Sequence, residues 1–289
     1  MPRIDAHQHF WQPARGDYGW LRADEPAVAR LVRDWLPDDL TPLLDAHDVT
    51  GTVLVQAAES LAETEYLLAL AAAHDFVAGV VGWVDLTRPD SAATLVRLSA
   101  DARFKGVRPM LQDLPEHDWI LHAPRPDVLR TLQGLGLRLD ALVRPRQLGA
   151  LLRFVQAWPE LPVVVDHAAK PPLHVAWNDA PMRDWRRDMA ALAAAPQVCC
   201  KLSGLLTEMP RVDATSPARA TERLRPLFEA LLCWFGPERL MWGSDWPVLT
   251  LAGGYADWVA IGDALLEPLS GTEQAWVLQG AARRFYTLG

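Results

Sequence analysis

The sequence predicts an α/β fold of the (β/α)8 (TIM) barrel type, and three observations carry that expectation. Eight short, β-branched apolar runs recur along the chain, longer amphipathic stretches follow most of them, and chemically useful polar residues gather where several of the runs stop. At 289 residues the chain exceeds a usual domain. Barrels of this class nevertheless run to roughly 250 residues as one unit. No composition break divides the chain, so residues 1–289 are expected to form a single domain.

The strand candidates are Arg3–His9, Thr52–Ala57, Phe76–Val84, Phe104–Met110, Leu137–Val143, Pro162–His167, Gln197–Ser203 and Arg239–Asp245. Between them, the spacing of apolar residues predicts helices over Ala62–His74, Ser91–Leu98, Pro126–Leu132, Pro145–Gln156, Met182–Ala194 and Ala218–Trp234. Parallel strands connected by helices give either a closed barrel or an open doubly wound sheet. The open sheet is the weaker choice, because no G-x-G-x-x-G or Walker-type loop follows the first run.

Composition narrows the function classes. Half the residues are hydrophobic, enough to bury a full core, and long disordered stretches are not expected. A net charge of -8 without a dense Lys/Arg run disfavours nucleic acid as a partner and favours a small molecule. Cys199, Cys200 and Cys233 make neither a disulfide framework nor a Cys-based zinc motif, so they read as buried thiols in a reducing compartment. With no signal-like segment and no run approaching the ~20 apolar residues of a membrane span, the expectation is a cytoplasmic, non-membrane protein. Most of the thirteen tryptophans should be core. A homo-oligomer is compatible with the sequence.

The ends of the runs hold the chemistry. In RIDAHQHF, His7 and His9 are two residues apart, so on a strand both imidazoles face one point and make half a metal site. The sixth run ends VVVDHAAKPP with Asp166, His167 and Lys170, and the eighth ends LMWGSDWPV with Ser244 and Asp245. Each has an ordinary structural role open to it, such as a helix cap for His167 or a turn for Asp245. Three histidines and an aspartate at one barrel mouth are harder to ascribe to coincidence. His7, His9, His167 and Asp245 supply imidazole and carboxylate ligands suited to Zn²⁺ or Mn²⁺, the machinery of metal-assisted hydrolysis.

Together with HQHFW, the segments RDWLPDDL (Arg33–Leu40), FKGVRPMLQD (Phe104–Asp113), LDALVRPRQL (Leu139–Leu148), VDHAAKP (Val165–Pro171), CKLSGL (Cys200–Leu205) and LMWGSDWPV (Leu240–Val248) resemble the amidohydrolase superfamily. Within it they are similar to the amidohydrolase-related sugar lactonases, the group of L-fuconolactonase and L-rhamnonolactonase. The resemblance runs nearly end to end. It implies an amidohydrolase-type barrel whose histidines match His7, His9 and His167 and whose last-strand aspartate matches Asp245. Binuclear members also use a carboxylated lysine on a middle strand. Here the fourth and fifth candidate strands place no lysine at a strand end, which argues for one divalent metal at most, weakly held or dispensable as in some related lactonases.

The activity so implied is hydrolysis of a small aldonolactone. Asp245 is the expected general base, and His7, His9 and His167 hold the metal or, without it, donate hydrogen bonds to the oxyanion; His9 and His167 are thus catalytic candidates as well as ligands. Candidate substrate contacts are Arg108, Gln112, Lys170 and Gln56, with Trp11 and Trp246 as aromatic walls for the sugar's C–H face. Loops after the strands, including Gly16–Trp20, Trp119 and Leu206–Ala220, are expected to set specificity. Alternation puts Cys199, Lys201 and Ser203 on one strand face, leaving Lys201 either substrate-facing or structural, and Lys105 reads as a surface or structural charge. The alternatives are a non-oxidative decarboxylase on the same scaffold, a hydrolase of a carboxylated or sulfonated muconolactone-type lactone using Arg108, Arg144, Arg146 and Lys170, and a non-catalytic binding barrel.

Overall fold

The computed structural model describes all residues, Met1–Gly289. Eight parallel strands follow one another around a single sheet in sequence order: β1 Arg3–Gln8, β2 Val49–Val55, β3 Val77–Gly82, β4 Phe104–Val107, β5 Arg138–Ala141, β6 Val163–Val165, β7 Val198–Leu202 and β8 Leu240–Trp242. All eight expected strands are present, most of them shorter than their apolar runs, because the polar residues at the C-terminal ends leave the ladder and turn into the mouth. The seam between β8 and β1 is closed past the last strand. His9 N donates to Trp246 O at 2.7 Å and Asp245 N to His7 O at 2.8 Å. Asp5 reinforces the seam by accepting from Ser244 N at 2.8 Å and from Tyr255 Oη at 3.0 Å.

Helices over Leu61–Ala73, Ser91–Leu98, Pro126–Gly134, Leu148–Ala157, Ala180–Ala193 and Pro217–Phe235 match the expected ones within a few residues, with a 3-10 turn at Pro145–Gln147 opening the fourth. Local chemistry sets their ends. Ser60 Oγ caps the first by accepting from Glu63 N, Pro126 and Pro217 occupy first-turn positions where no N–H is needed, and Gly236 ends the longest with φ 68°. The helices at Pro37–Ala46, Tyr255–Leu266 and Ala281–Tyr286 were not expected from the sequence. No helix is long and apolar enough to cross a membrane.

The main core lies between the outer faces of the strands and the helices. A second cluster fills the lower barrel interior with Ile4, Ala6, Val53, Val81, Val164, Cys199 and Met241, closed by Phe285 and Tyr286 of the C-terminal helix. Lys105 Nζ donates to Thr287 O at 3.1 Å, so this lysine pins the C-terminal segment beneath the barrel. The cysteine reading needs one correction: Cys199 and Cys200 are buried, but Cys233 is exposed on the solvent side of Pro217–Phe235. Of the thirteen tryptophans only Trp11, Trp185, Trp242, Trp246 and Trp258 are fully buried; the remainder are half-buried and bridge core and surface.

Candidate active site

β1 delivers its histidines through a break in its own alternation. Arg3 bonds Asp263 and Asp5 bonds Tyr255 on the helix side, while Ile4 and Ala6 point into the barrel. Unbroken alternation would send His7 outward with Arg3 and Asp5. A shift in the β1–β2 register between Asp5 and Gln8 turns it inward, as strand bulges do. His9 follows on the same face. His9 Nδ1 lies 2.7 Å from Val55 O, an acceptor only, so Nδ1 carries the proton and Nε2 presents its lone pair.

Asp245 and His167 arrive from left-handed backbone. His167, Ala168, Ala169 and Lys170 form a run with φ between 49° and 58°, and Asp245 has φ 61°. Each such L-residue costs roughly 1–2 kcal/mol. The turn is held by Trp185 Nε1 donating to Ala168 O at 2.8 Å and Lys170 N to His167 O at 2.9 Å. Ser203 Oγ, 2.9 Å from His167 Nδ1, fixes that ring. Gly204, at φ 64°, passes so close that a Cβ would stand 2.6 Å from His167 Nδ1 and 2.9 Å from Asp245 Oδ2.

These pieces meet at one point. Asp245 Oδ1 lies 3.3 Å from His9 Nε2, 3.7 Å from His7 Nε2 and 3.8 Å from His167 Nε2, and the His7 and His9 Nε2 atoms are 3.2 Å apart. His7, His9 and Asp245 bring one ligand atom each within 4.8 Å of one another; His167 stands outside that group. The set fits a divalent cation, since two imidazole nitrogens and a carboxylate oxygen converge on one point. Asp166 Oδ1 lies 3.3 Å from His7 Nδ1, on the side of the ring away from His9 and Asp245. A carboxylate behind the distal nitrogen of a metal-binding imidazole orients the ring and raises its basicity.

Below and beside this point lies a polar layer. Lys201 Nζ is 2.6 Å from Asp140 Oδ2, 3.0 Å from Asp166 Oδ1 and 3.0 Å from His7 Nδ1. Tyr286 donates to the same Asp140 oxygen at 2.8 Å. Arg108 Nη1 reaches to 3.4 Å from His7 Nε2 and 3.5 Å from Asp166 Oδ2, while its Nη2 donates to Gln56 O. The turn that carries Gln56 is held by Glu63, whose carboxylate accepts from Ala57 N at 3.0 Å and Ala58 N at 2.9 Å.

Protonation follows from burial and charge. Burial raises the Asp245 carboxyl, but His167, His7 and His9 outweigh it and hold Asp245 well below the usual carboxylate range. Burial also pushes the three imidazoles down, His167 to about 4, so they stay neutral. At Asp166, Lys201, His7 and Arg108 overcome burial and lower the carboxyl well below its ordinary value. Asp140 goes the other way, to about 6, because burial exceeds the pull of Lys201.

Above Asp245 opens a cavity of about 210 Å³, lined by His9, His167 and Asp245 together with Arg108, Gln112, Lys170 and Trp11. A larger cavity of about 470 Å³ between Leu173, Trp177 and Arg223 contains none of these groups and lies outside the barrel mouth. Two of the expected substrate contacts are corrected. Trp246 faces the helix layer, packed edge-on to Phe10 and Trp35, because the residue after an inward Asp245 turns outward. The Gln56 side chain is sealed beneath the rim and donates to Arg108 O at 2.6 Å, so it braces Arg108 without reaching the cavity. Among the expected specificity loops, Trp20 borders the cavity, whereas Trp119 and Leu206–Ala220 do not. Lys201 is structural, not substrate-facing. Asp140, Glu63 and Gly204 were missed as site residues, although a lone aspartate inside the apolar run LRLDALV signals a buried charge that must be paired.

The chain matches the family model described as amidohydrolase over residues 4–288. It belongs to the amidohydrolase family. It is 43% identical, over 99% of its length and 96% of the relative's, to an L-fucono-1,5-lactonase of Burkholderia ambifaria. It is 38% identical, with the same coverage of both chains, to an L-fucono-1,5-lactonase of Burkholderia multivorans. A crystal structure of a Burkholderia multivorans amidohydrolase with bound zinc superposes with a TM-score of 0.88 at 36% identity, covering 100% of both chains. A probable 2-pyrone-4,6-dicarboxylic acid hydrolase from Acinetobacter baumannii, 20% identical with a TM-score of 0.77 over 100% of both chains, shares the fold.

Proposed function

We propose that this amidohydrolase opens the ring of a sugar-acid lactone, with L-fucono-1,5-lactone or a close aldonolactone as substrate. The observation that carries the reading is one ionised carboxylate, Asp245, ringed by three neutral imidazoles at the floor of a cavity. It stands in a chain 43% identical over nearly its whole length to an L-fucono-1,5-lactonase.

Asp245 orients a water and takes its proton as the water oxygen bonds to the lactone carbonyl carbon. The carbonyl oxygen becomes an oxyanion, which Arg108 and the Nε2–H of His167 meet as preorganised donors, with Ser203 holding the His167 ring. Collapse breaks the bond from the carbonyl carbon to the ring oxygen, and Asp245 returns its proton to that oxygen. A divalent cation held by His7, His9 and Asp245 would polarise the carbonyl and make water a better nucleophile, and zinc suits this nitrogen-and-oxygen set.

The cavity bears on the alternatives. Arg144 and Arg146 do not line it, and Arg146 is spent on Gln112 O at 2.8 Å, so Arg108 and Lys170 are its cations. Lys170 is in turn paired with Glu208 at 3.4 Å. That is a poor site for a dicarboxylated ring. The test is acid release from a panel of 1,4- and 1,5-aldonolactones, run beside CO2 release from carboxylated ring substrates. Ring opening without CO2 release is expected; CO2 release alone would replace the lactonase reading with a decarboxylase.

A further inference from the structure

The cavity above Asp245 is two-sided, and the barrel order explains why. Strands β8 and β1 are neighbours across the seam, and the loops that leave them contribute Trp11, Trp20, Val28, Leu31, Val248 and Leu251 to the lining. The loops that leave β4 and β6 contribute Arg108, Gln112 and Lys170, with Met110 and Leu142 beside them, while His9, His167 and Asp245 form the floor. Trp11, Leu31, Trp20, Val248 and Leu251 of this group pack in a small apolar cluster separate from the barrel core, with the segment after β1 laid over the mouth.

The apolar side has no hydrogen-bonding capacity left. Of its six side chains only the two indoles carry a polar atom, and both are committed: Trp11 Nε1 donates to Leu31 O at 3.1 Å and Trp20 Nε1 to Ala57 O at 2.7 Å. The opposite side has capacity to spare. Gln112 Oε1 is shielded from solvent without any partner, an acceptor that a sugar hydroxyl would satisfy.

Resting on the lactonase reading, we infer that the β1/β8 wall is a methyl-recognition subsite. Ring hydroxyls face Gln112 and Lys170, and the terminal methyl group of the fuconolactone lies against Val28, Val248 and Leu251, which Leu31 backs from within. A hydroxyl on that terminal carbon would give up water without gaining a partner. An apolar pocket rejects an added hydroxyl only moderately, by roughly 10- to 100-fold, and that sets the scale of the discrimination.

The experiment compares kcat/KM for L-fucono-1,5-lactone and L-galactono-1,5-lactone, which differ only by CH3 against CH2OH at this position. The wild type, Val28→Thr and Val248→Thr are measured in parallel; both substitutions are near-isosteric, place a hydroxyl on the wall, and are checked for folding by circular dichroism. An apolar methyl subsite gives the wild type a preference of roughly 10-fold or more for the 6-deoxy lactone. At least one variant should narrow it by gaining activity on the galactonolactone, a gain that mere loss of structure does not produce. Equal rates on both lactones, or a preference that neither variant moves, overturn the subsite and leave the lactonase reading standing. Hydrolysis of neither lactone overturns the reaction assignment and the subsite with it.

Discussion

The lower and upper halves of the barrel interior are built from the same strands and held by different forces. Below His7, Ile4, Val53, Val81, Val164 and Met241 fill the space with aliphatic and thioether side chains, and Phe285 seals it from the C-terminal helix. Above, the inward positions change to Asp140, Asp166, Lys201, Arg108 and the histidines, all buried. On β6 the change takes two residues, from Val164 to Asp166, and on β7 it takes two more, from Cys199 to Lys201. The lower half tolerates any well-packed apolar set. The upper half persists only if every charge keeps its partner, since an unpaired buried charge costs several kcal/mol. That layer costs stability, and in return it holds His7 in place beside an ionised Asp245.

The contrast can be broken at its boundary. Lys201→Met, close in size, should destabilise the protein by about 3–5 kcal/mol in urea unfolding, because Asp140 and Asp166 lose their shared cation. A change below about 1 kcal/mol would show that the polar layer is not held by charge pairing.

A pH test sharpens the same point at the rim. Burial outweighs two N–H bonds and pushes Glu63 up to about 7 from an ordinary 4.5. A carboxyl raised in the folded state contributes stability that is fully present below pH 4.5 and is lost as pH rises through about 7. Glu63→Gln removes that titration. Relative to wild type the variant should therefore gain stability between pH 5 and 8.5, by up to about 3 kcal/mol. A wild-type-to-variant difference that stays constant over this range would contradict the buried, weakly ionised carboxyl.

The smallest effect belongs to Tyr286, whose ring packs with the lower half and whose hydroxyl reaches the upper. Tyr286→Phe keeps the packing and removes one hydrogen bond to Asp140, at a cost of about 1 kcal/mol, with kcat/KM changed less than about threefold. A large fall in activity would mean that the chain through Asp140 and Lys201 governs His7 more tightly than the layered picture allows.

The same division explains what the sequence disclosed. Apolar periodicity located all eight strands and six helices, because burial dictates residue type directly. His7, His9, His167 and Asp245 were legible as strand-end residues, and the structure brings them to one point. What stayed hidden was backbone geometry. The register shift that turns His7 inward has no sequence mark, and the left-handed turn in DHAAK contains no glycine to announce it. Trp246 was misplaced for the same reason, since its direction depends on the turn at Asp245. Lys201 and Asp140 were visible as charges in apolar strands, but their pairing across the barrel needs the closed ring.

The most direct test of the central claim is hydrolysis of L-fucono-1,5-lactone by wild type and Asp245→Asn, followed by acid release, with circular dichroism to show that both are folded. With Asp245 as the base, the wild type hydrolyses the lactone at a robust rate and the variant loses roughly 10³-fold in kcat/KM. A folded variant that retains activity within about tenfold of wild type would contradict Asp245 as the base, and with it the mechanism proposed for this site.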